Sequence, residues 1–406
     1  MYDVCIIGGG ASGMSTAIAA AKRGLRVIII DRNNKLGKKL YATGNGKCNI
    51  TNKNMDYKTK YHSMSDDYVD FLNESIGMTP YEDIIDFYNS LGVYTYANGD
   101  YVYPNSLQAS SVVWAMLDKL NELNIKIVFK EEIVSICKVD KGFVIKSQND
   151  EIRATQVVLA CGSRSYEKLG GTVEGYKLAR NFGHSIVKVR PALCGMHTSE
   201  NIKALSGVRV RATATVINNE DNVSLSESGE LQFTDYGISG ILIFNLSSVV
   251  GRYLNNDKTV KVRVNLIPDV LEENILSMYK HADNRTVLGF LNGFVNDKIA
   301  SFFITKHDIN PKYNVKDVDI NKIIDIFQNM SSCEFDIKEL CDFDNAQICA
   351  GGVNIEEINP KNMMSNKVEN LYLVGEMLDI DGVCGGYNIT FAVLSGLKAG
   401  NNLNKY

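Results

Sequence analysis

Closely spaced cysteine pairs are missing from this 406-residue sequence. Its nine cysteines are scattered between Cys5 and Cys384, and no two of them form a C-x-x-C motif. Structural zinc sites and iron–sulfur clusters usually draw their ligands from such pairs. We therefore expect no metal site, and we expect the thiols to be reduced and mostly buried.

Long basic runs and long apolar runs are also missing. The basic runs are no longer than the pairs Lys22-Arg23 and Lys38-Lys39, and the formal net charge is −4 at pH 7. Because proteins that bind a phosphate backbone need a basic face, this balance predicts no nucleic-acid partner. No apolar segment approaches the roughly 20 residues that span a bilayer. A strand predicted to begin at Tyr2 leaves no room for a signal peptide, so we expect a cytoplasmic protein without a membrane partner.

The two ends of the chain carry alternating strand and helix patterns. An apolar run at Tyr2–Ile7 is followed by a helical pattern from Ala11 to Arg23 and by a second apolar run at Leu25–Ile30. Continuously apolar strands that flank a helix are typical of a buried parallel sheet. A similar run returns at Leu371–Val374, before a final helix predicted at about 388–403. The ends therefore predict one α/β domain that is interrupted by an insertion.

The middle of the chain has a different pattern. Polar and apolar residues alternate at Val208–Val216 and Val260–Val264, with a turn predicted at Asn218 to Asp221. This alternation, between about 192 and 267, predicts an antiparallel barrel or sandwich. The pattern that follows, from about 268 to 330, is helical.

A glycine motif, Gly8-x-Gly10-x-x-Gly13, lies between the first predicted strand and helix. The first glycine permits a tight turn, the second lets the backbone approach a pyrophosphate, and the third lets the helix pack on the strand. The phosphates would lie at the helix N-terminus, whose free N–H groups favour negative charge. Asp31 ends the second strand, where an acid can accept hydrogen bonds from ribose hydroxyls. These features predict a dinucleotide-binding fold.

Three other segments favour FAD over NAD. The second strand leads into a glycine-rich polar loop, Ala42–Asn52, that can lie against an extended cofactor. The segment Gln156–Gly162 resembles the strand-then-glycine segment that passes near the cofactor in many FAD proteins. Gly375-Glu376 ends a later strand, and Gly385-Gly386 opens the last helix. We expect Glu376 to contact the ribitol chain and the helix N-terminus to face the flavin N1/C2=O edge, where its dipole stabilises reduced flavin.

Together these motifs resemble a bacterial flavoprotein family called YhiN-like or BaiN-like, and the resemblance covers nearly the whole chain. It also rests on Gly44–Asn52, Tyr103-Pro104 with Ser106, Phe233–Gly240, Ala350–Val353, Asn359-Pro360 with Met363, and Gly385–Asn388. The sequence departs from the family pattern at Lys47, where arginine is frequent, at Asn45, where glycine is, and at Cys349, where threonine is. The family includes aminoacetone oxidase-like proteins and a bile-acid dienone reductase.

The resemblance implies a discontinuous Rossmann-like FAD-binding domain with an inserted β-barrel and a small helical domain. We place the FAD-binding domain at residues 1–191 and 341–406, the β-barrel at 192–267 and the helical domain at 268–340.

The candidate cofactor contacts come from these motifs and from the matching family positions. Toward the N-terminus they are Gly8, Gly10, Ala11, Ser12, Gly13, Asp31, Arg32, Lys38, Lys39, Gly44, Asn45, Gly46, Cys48 and Asn49. The others are Val134, Ala160, Cys161, Gly162, Gly375, Glu376, Asp381, Gly385, Gly386, Tyr387, Asn388 and Ile389.

Three side chains are candidates for catalysis. Tyr236 lies in an aromatic and polar loop of the insertion, where a phenol could donate a proton to a substrate carbon after hydride transfer, with packing as the alternative role. Tyr387 is placed at the flavin by its motif. Lys47 either lies near the flavin or its phosphates or is solvated. A redox role for Cys48 is disfavoured, because a C-x4-C dithiol would need a second cysteine at position 43 or 53.

The resemblance implies an FAD-dependent oxidoreductase. We favour NAD(P)H-dependent reduction of an activated carbon–carbon double bond, such as an enone in a steroid-like or other apolar, carbonyl-containing molecule. The sequence has no second G-x-G-x-x-G motif, so NAD(P)H would visit the flavin only transiently. The alternatives are an oxidase that passes electrons from a small amine to O2, an FAD-containing RNA-modifying protein, and a flavin-binding sensor.

Overall fold

The structure, a computed structural model, describes residues 1–217, 224–254 and 259–405, so the turn predicted at Asn218 to Asp221 lies outside the described residues. The chain forms two compact units. The nucleotide unit consists of Met1–Arg190 and Gln347–Tyr406, and the inserted unit is Pro191–Ala346. From the sequence, we predicted the boundaries between the FAD-binding domain and the insertion after residues 191 and 340.

The first part of the nucleotide unit opens with alternating strands and helices, as the pattern of residues 2–30 predicted. Its strands are β1 (Tyr2–Ile7), β2 (Val27–Asp31), β3 (Thr51–Asn52), β4 (Tyr61–His62), β5 (Thr95–Asn98), β6 (Tyr101–Pro104), β7 (Lys126–Phe129), β8 (Ile133–Val139), β9 (Gly142–Ser147), β10 (Glu151–Leu159) and β11 (Ile186–Ala192). Its helices are α1 (Ala11–Lys22), α2 (Lys38–Ala42), α3 (Tyr57–Lys60), α4 (Tyr68–Ser75), α5 (Pro80–Ser90), α6 (Ala109–Glu122) and α7 (Glu174–Asn181).

The inserted unit contains a closed six-stranded barrel and a group of helices. Its strands are β12 (Met196–Thr198), β13 (Arg209–Ile217), β14 (Ser224–Phe233), β15 (Gly237–Ser239), β16 (Val260–Asn265) and β17 (Cys333–Leu340). They close in the order β12-β15-β14-β13-β16-β17. The helices are α8 (Ile241–Leu254), α9 (Glu272–Lys280), α10 (Val287–Leu291), α11 (Asp297–Lys306) and α12 (Ile320–Ser331).

The strand β17 lies inside the segment 268–340 that the sequence assigned to a helical domain. It pairs antiparallel with β16, with Val262 opposite Phe335, and with β12 at the other edge. Both partners are far from β17 in the sequence, and such non-local pairing cannot be read from a local helical pattern. The strand β17 therefore belongs to the barrel, and the helices of this segment end at Ser331.

The chain then returns to the nucleotide unit. The remaining elements are β18 (Ile348–Val353), β19 (Ile358–Asn359), β20 (Met364–Ser365), β21 (Leu371–Leu373), β22 (Asp381–Gly382) and α13 (Tyr387–Asn402). In the main sheet, β1 lies between β10 and β2, while β21 pairs with β10 and β7 with β2, all in parallel. The carboxyl ends of these strands therefore meet at one edge, which is where open α/β sheets bind ligands.

The helices α1 and α13 pack closely against each other beside this sheet. An added Cβ at Gly396 would lie 2.4 Å from the Ser12 carbonyl oxygen, and one at Gly400 would lie 2.6 Å from that of Thr16. The two glycines of α13 thus allow the backbones to approach, which anchors the C-terminal segment to the glycine motif. Among the described residues, no helix is long and apolar enough to span a membrane.

Candidate functional site

The glycine motif lies at the carboxyl edge of the main sheet. An added Cβ at Gly8, whose φ is 104°, would lie 2.3 Å from the Ala160 carbonyl oxygen, and one at Gly13 would lie 1.9 Å from the Gly8 carbonyl oxygen. An added Cβ at Gly10 would have no atom of the described chain within 4 Å, apart from its chain neighbours. The packing of the turn therefore requires the first and third glycines, whereas the second faces open space.

The acid at the end of β2 is held by the turn beside it. The Asp31 carboxylate is buried and accepts hydrogen bonds of 2.7 Å from the N–H groups of Gly9 and Asn33. A cavity with about 650 Å³ of empty volume, part of it open to solvent, runs past this carboxylate. Its lining includes Ile7, Gly8, Ile30, Asp31, Arg32, Asn33, Glu131, Ile133, Cys161 and Gly175. This cavity can receive the adenosine half of a dinucleotide.

The helix α1 begins directly after the open space at Gly10. Gly10 supplies no side-chain cap, and Ala11 and Ser12 are the first residues of the helix. The first N–H groups of an α-helix have no acceptor within the helix, and the helix dipole favours an anion there. This end of α1 can therefore hold a pyrophosphate.

A cluster of polar side chains surrounds Glu376. Its carboxylate accepts hydrogen bonds from Lys39 Nζ at 2.7 Å, from Ser163 Oγ at 2.6 Å and from Ser165 Oγ at 3.2 Å. The sequence predicted Lys39 and Glu376 and missed the two serines. Both serines follow Gly162, the glycine that ends the β10 segment, so the position of that glycine was the available indication.

The loop before α13 is tied to itself and to β3. The Asn388 side chain accepts from the Gly382 N–H at 2.9 Å and donates to the Gly382 carbonyl at 2.7 Å. At Gly386, whose φ is 94°, an added Cβ would lie 2.7 Å from backbone atoms of Thr51. Gly386, one of the glycines predicted to lie beside the flavin, therefore packs against the C-terminal end of the Ala42–Asn52 loop.

That loop is a tight turn with left-handed residues. Gly44, Asn45 and Gly46 have φ values of 55°, 53° and 83°. Asparagine tolerates this region better than other residues with a Cβ, which explains how Asn45 can stand where the family has glycine. Nearby, Asn49 Oδ1 is buried without a hydrogen-bond partner in the part of the chain that the structure describes. It is an acceptor that a bound cofactor could satisfy.

The thiols of the site are poor nucleophiles. Burial raises the pKa of the Cys48 thiol to about 11 and that of the Cys161 thiol to about 12. Since the thiolate is the reactive form, both cysteines remain protonated and unreactive at neutral pH. This agrees with the sequence argument against a redox role for Cys48.

The structure does not test the predicted roles of three further residues, Tyr387, Val134 and Lys47. The Tyr387 hydroxyl donates to the Asn54 carbonyl at 2.9 Å, so its proton is engaged by the backbone. Val134 is 64% exposed, and its neighbour Ile133 lines the cavity instead. Lys47 is exposed. Their predicted roles remain predictions.

Other predicted contacts lie in the same unit. Lys38 Nζ donates to Asn33 Oδ1 at 3.1 Å, beside the acid that ends β2. Asp381 is buried on β22, with its Oδ2 3.6 Å from His62 Nδ1. Ile389 lies in the first turn of α13.

The residues present fit FAD. The open space at Gly10, the uncapped start of α1 and the cavity beside Asp31 fit an adenosine diphosphate moiety. Beyond them, the Glu376 cluster and the buried, unpartnered Asn49 Oδ1 offer polar contacts, among the described residues, of the kind that a ribitol chain and a flavin ring need.

In the inserted unit, the Tyr236 hydroxyl lies close to Cys341. An added Cβ at Gly195 would lie 2.9 Å from Tyr236 Oη and 3.3 Å from Cys341 Sγ. The Tyr236 ring stacks on His197 with a centroid distance of 4.8 Å and an angle of 30°. Burial, followed by the interaction with Cys341, raises the pKa of Tyr236 above 10.0, so the phenol keeps its proton at neutral pH. It can therefore donate that proton.

The glycine turn after β1, the acid at the end of β2 and the Gly375-Glu376 pair after β21 all border one edge of a parallel sheet. This arrangement defines the class of Rossmann-type FAD-binding proteins. Within this class, the sequence profile of the HI0933-like protein Rossmann domain matches residues 2–402. The chain belongs to this family, and the prediction of an FAD-dependent oxidoreductase is confirmed.

Two relatives extend over almost the whole chain. The 3-dehydro-bile acid delta(4,6)-reductase of Clostridium scindens is 34% identical, over 98% of each chain. The ribosomal RNA dihydrouridine synthase of Escherichia coli is 27% identical, over 96% of this chain and 95% of its own. Among solved structures, the open conformation of a flavocytochrome c3 fumarate reductase has a TM-score of 0.50 at 15% identity and covers 99% of this chain and 78% of its own. That likeness concerns the fold alone.

Proposed function

We propose that this protein reduces a carbon–carbon double bond conjugated to a carbonyl group, with NAD(P)H as a transient co-substrate. The proposal rests on the similarity of the whole chain to two enzymes whose names indicate reduction of such a double bond. A 3-oxo-Δ4,6 steroid is a conjugated dienone. In uridine, the C5–C6 bond that becomes saturated in dihydrouridine is conjugated to the C4 carbonyl. An activated double bond is thus common to both substrates.

The nucleotide unit would hold FAD along the edge of its sheet. Asp31 would accept from the ribose, the start of α1 would hold the pyrophosphate, and Glu376 would contact the ribitol chain. The positive end of α13, which begins at Tyr387, would face the flavin. Bound FAD would supply hydride transfer at N5, first from the donor and then to the substrate.

Tyr236 is our candidate for the proton that completes the reduction. A hydride added to the β-carbon of an enone leaves an enolate, and the α-carbon then takes a proton. Because the Tyr236 phenol is protonated at neutral pH and 38% exposed, it can reach a substrate and act as a general acid.

A small apolar enone is the substrate that we favour, because the more similar of the two relatives acts on a bile acid. The second candidate is a uridine in RNA, favoured by the second relative. The barrel surface counts against RNA there, since basic side chains on it are paired with acids. These pairs are Arg209 with Glu230, Arg211 with Asp269, and Arg263 with Glu334.

Separate half-reactions test the proposal. The protein, reduced anaerobically with NADH or NADPH, should be reoxidised by a 3-oxo-Δ4 steroid or another enone much faster than by air. Fast reoxidation by O2 after reduction by an amine would instead identify an oxidase, and the proposal would fail.

A Tyr236→Phe variant tests the proton donor. Reoxidation by the enone should slow by at least about a hundredfold, since a positioned general acid contributes ~10²–10⁴-fold. Reduction by NAD(P)H should remain near normal. Equal slowing of both steps would make Tyr236 structural, and no change in either would place the donor elsewhere.

A further inference from the structure

A second cavity lies in the nucleotide unit, apart from the candidate cofactor site. It has about 950 Å³ of empty volume, part of it open to solvent, and among the described residues it shares no lining residue with the cavity beside Asp31. Residues of α1, α4, α5 and α13 enclose it. Proteins bind small molecules in concave sites of roughly 300–1,000 Å³, so this cavity has the size of a ligand site.

The cavity lies toward the far ends of the two helices whose near ends border the candidate FAD site. Helix α1 begins at Ala11, beside the proposed pyrophosphate position, and first lines the cavity at Ile18, seven residues later. Helix α13 begins at Tyr387 and first lines it at Leu394, also seven residues later. At a rise of 1.5 Å per residue, the cavity therefore begins about 10 Å along each helix axis. A ligand in this cavity would not occupy the position of FAD.

Much of the lining is apolar. The apolar side chains come from all four enclosing helices or the residues next to them, and they include Ile18, Ile76, Phe87, Leu394 and Leu397. An apolar group that packs on these side chains leaves water, which is favourable in proportion to the area that it buries. The lining therefore favours a ligand with an apolar body.

Three charged side chains also line the cavity, Lys22, Lys398 and Asp83. Among the described residues neither lysine forms an ion pair, although Lys398 lies near Asp83. Partial burial raises the pKa of Asp83, and the positive charge of Lys398 acts against this rise. Two cations and one carboxylate give the lining a net charge of +1, so a single negative charge on a ligand would neutralise it.

Ser75 provides a polar group whose hydrogen-bonding capacity is unused. The residue is 2% exposed, and its Oγ has no hydrogen-bond partner in the described part of the chain. A buried hydroxyl without a partner is unfavourable, and such groups are rare in native proteins. Ser75 is the last residue of α4 and lines the cavity. A ligand that carries a hydrogen-bond acceptor would supply the missing partner.

We infer that this cavity binds a small monocarboxylate with an apolar body, such as a medium-chain fatty acid. The carboxylate would accept hydrogen bonds from Lys22, Lys398 and Ser75, and hydrogen bonds of this charge-assisted kind are the strong ones. The hydrocarbon would pack on the apolar lining. A neutral apolar molecule would leave the lysines without a partner, and an amine would add to their positive charge. The site is separate from the flavin, so this inference does not depend on the proposed reductase function.

Isothermal titration calorimetry with the full-length holoprotein tests the inference. The probe is octanoate below its micelle concentration, compared with octan-1-ol and octylamine. Octanoate should bind, and octan-1-ol should bind at least about tenfold more weakly, because a hydrogen bond to a charged group contributes about ten- to a hundredfold. Octylamine should bind more weakly still. Hexanoate should bind up to roughly fifteenfold more weakly than octanoate, since each buried methylene contributes about fourfold.

A Lys22→Gln/Lys398→Gln variant tests the charge contribution. It should bind octanoate at least about tenfold more weakly and octan-1-ol as wild type does. Ser75→Ala should also weaken octanoate binding, while the ligand-free variant should be no less stable than wild type in thermal unfolding, because no hydrogen bond is lost. The matched control is Lys141→Gln, at an exposed turn between β8 and β9, which should bind octanoate normally.

Equal affinities for octanoate and octan-1-ol would overturn the inference, because the lysines would then contribute nothing. Failure of octanoate to bind would do the same. If the double lysine variant loses stability but keeps its affinity, Lys22 and Lys398 serve the structure alone, and the inference fails. Displacement of octanoate by a steroid enone, with unchanged affinity in the lysine and serine variants, would place octanoate in the substrate site instead.

The binding test is also separable from the reductase proposal. The double lysine variant should keep its flavin absorbance and its rate of enone reduction, since neither lysine lies at the candidate cofactor site. Octanoate binding by a protein that reduces no enone would leave this inference standing and remove the proposed function. Enone reduction by a protein that binds no octanoate would do the opposite.

Discussion

Gly10 and Gly13 belong to one motif, but a side chain would meet different surroundings at each. At Gly10 the space is empty of described protein atoms, whereas at Gly13 a Cβ would lie 1.9 Å from the Gly8 carbonyl oxygen. A Gly10→Val variant should therefore fold and lose FAD, because its side chain would fill the space for the pyrophosphate. A Gly13→Ala variant should lose stability as well, because backbone must shift. Flavin absorbance after gel filtration and thermal unfolding measure the two effects.

Normal flavin content in Gly10→Val would refute the phosphate position at this turn. A Gly13→Ala protein as stable as wild type would show that the turn relaxes without strain.

Glu376 is the residue on which the ribitol contact depends. Glu376→Ala should weaken FAD binding about ten- to a hundredfold, since a hydrogen bond to a charged group contributes on the order of 1.5–3 kcal/mol. Quenching of flavin fluorescence during titration of the apoprotein measures the dissociation constant. An exposed acid of the inserted unit, Glu273, provides the matched Ala control.

Weaker FAD binding by Glu376→Ala could also follow from disturbance of the residues that bond to Glu376, and a second variant separates the two causes. Because Lys39 and Ser163 already donate to Glu376, its loss also leaves these donors without this acceptor. Ser163→Ala removes one donor and keeps the carboxylate, so it should weaken FAD binding less than Glu376→Ala does. A dissociation constant unchanged in Glu376→Ala would remove this residue from the cofactor.

At the scale of elements, the residue before β12, Gly195, and the residue after β17, Cys341, lie beside the Tyr236 hydroxyl. Gly195 precedes β12, and a Cβ there would press on Tyr236 Oη at 2.9 Å, the mobile end of a side chain. Gly195→Ala should therefore displace the hydroxyl from Cys341 without removing any polar group. We expect slower reoxidation by the enone, in the direction of Tyr236→Phe, with normal reduction by NAD(P)H.

A second glycine of the same barrel provides the control. At Gly229 on β14 the nearest contact of an added Cβ is Leu242 Cβ at 3.7 Å, an ordinary packing distance. Gly229→Ala should leave both half-reactions unchanged. If Gly195→Ala behaves like this control, the position of the Tyr236 hydroxyl does not matter for turnover.

At the scale of the whole molecule, the buried His184 and the partly buried Glu357 of the nucleotide unit make stability depend on pH. Burial lowers the pKa of His184 below 6.5, although its ring lies 2.9 Å from Glu357. Burial acts to raise the pKa of Glu357, but hydrogen bonds from Lys367, Ser185 and His184 outweigh it and lower the pKa to about 2. In both cases the unfolded chain binds protons more readily than the folded chain.

Stability should therefore fall as the pH is lowered. The His184 contribution declines below pH 6.5, and the Glu357 contribution, complete above 4.5, is lost between 4.5 and about 2. Urea unfolding across this range measures both. Glu357→Gln should be less stable at pH 7 by about 1–3 kcal/mol and should have a flatter profile below pH 4.5. A parallel profile for the variant and wild type would show that Glu357 does not titrate in this way.

The sequence by itself determined the local parts of this protein. The glycine turn, the acid at the end of β2 and the apolar strands follow from nearest-neighbour chemistry: φ above zero at Gly8, burial of continuous apolar strands, and a free helix N-terminus. Motifs of this kind indicate a dinucleotide fold because the groups expected to contact the phosphates lie within one turn of chain. The family resemblance needed further motifs, such as Gly44–Asn52 and Phe233–Gly240, but each of these is also a short run of sequence.

Tertiary structure decided what depends on distant pairing. Ser163 and Ser165 join Glu376 across more than 200 residues of chain. Likewise, β17 closes the barrel only through strands far earlier in the chain, and even its pairing nearest in sequence joins Val264 to Cys333. The pairing of Tyr96 with Tyr103 likewise exists only through the register of β5 and β6. Hydrogen-bond registers and the packing of a closed barrel place such groups together, and no local periodicity records which distant strand will supply the partner.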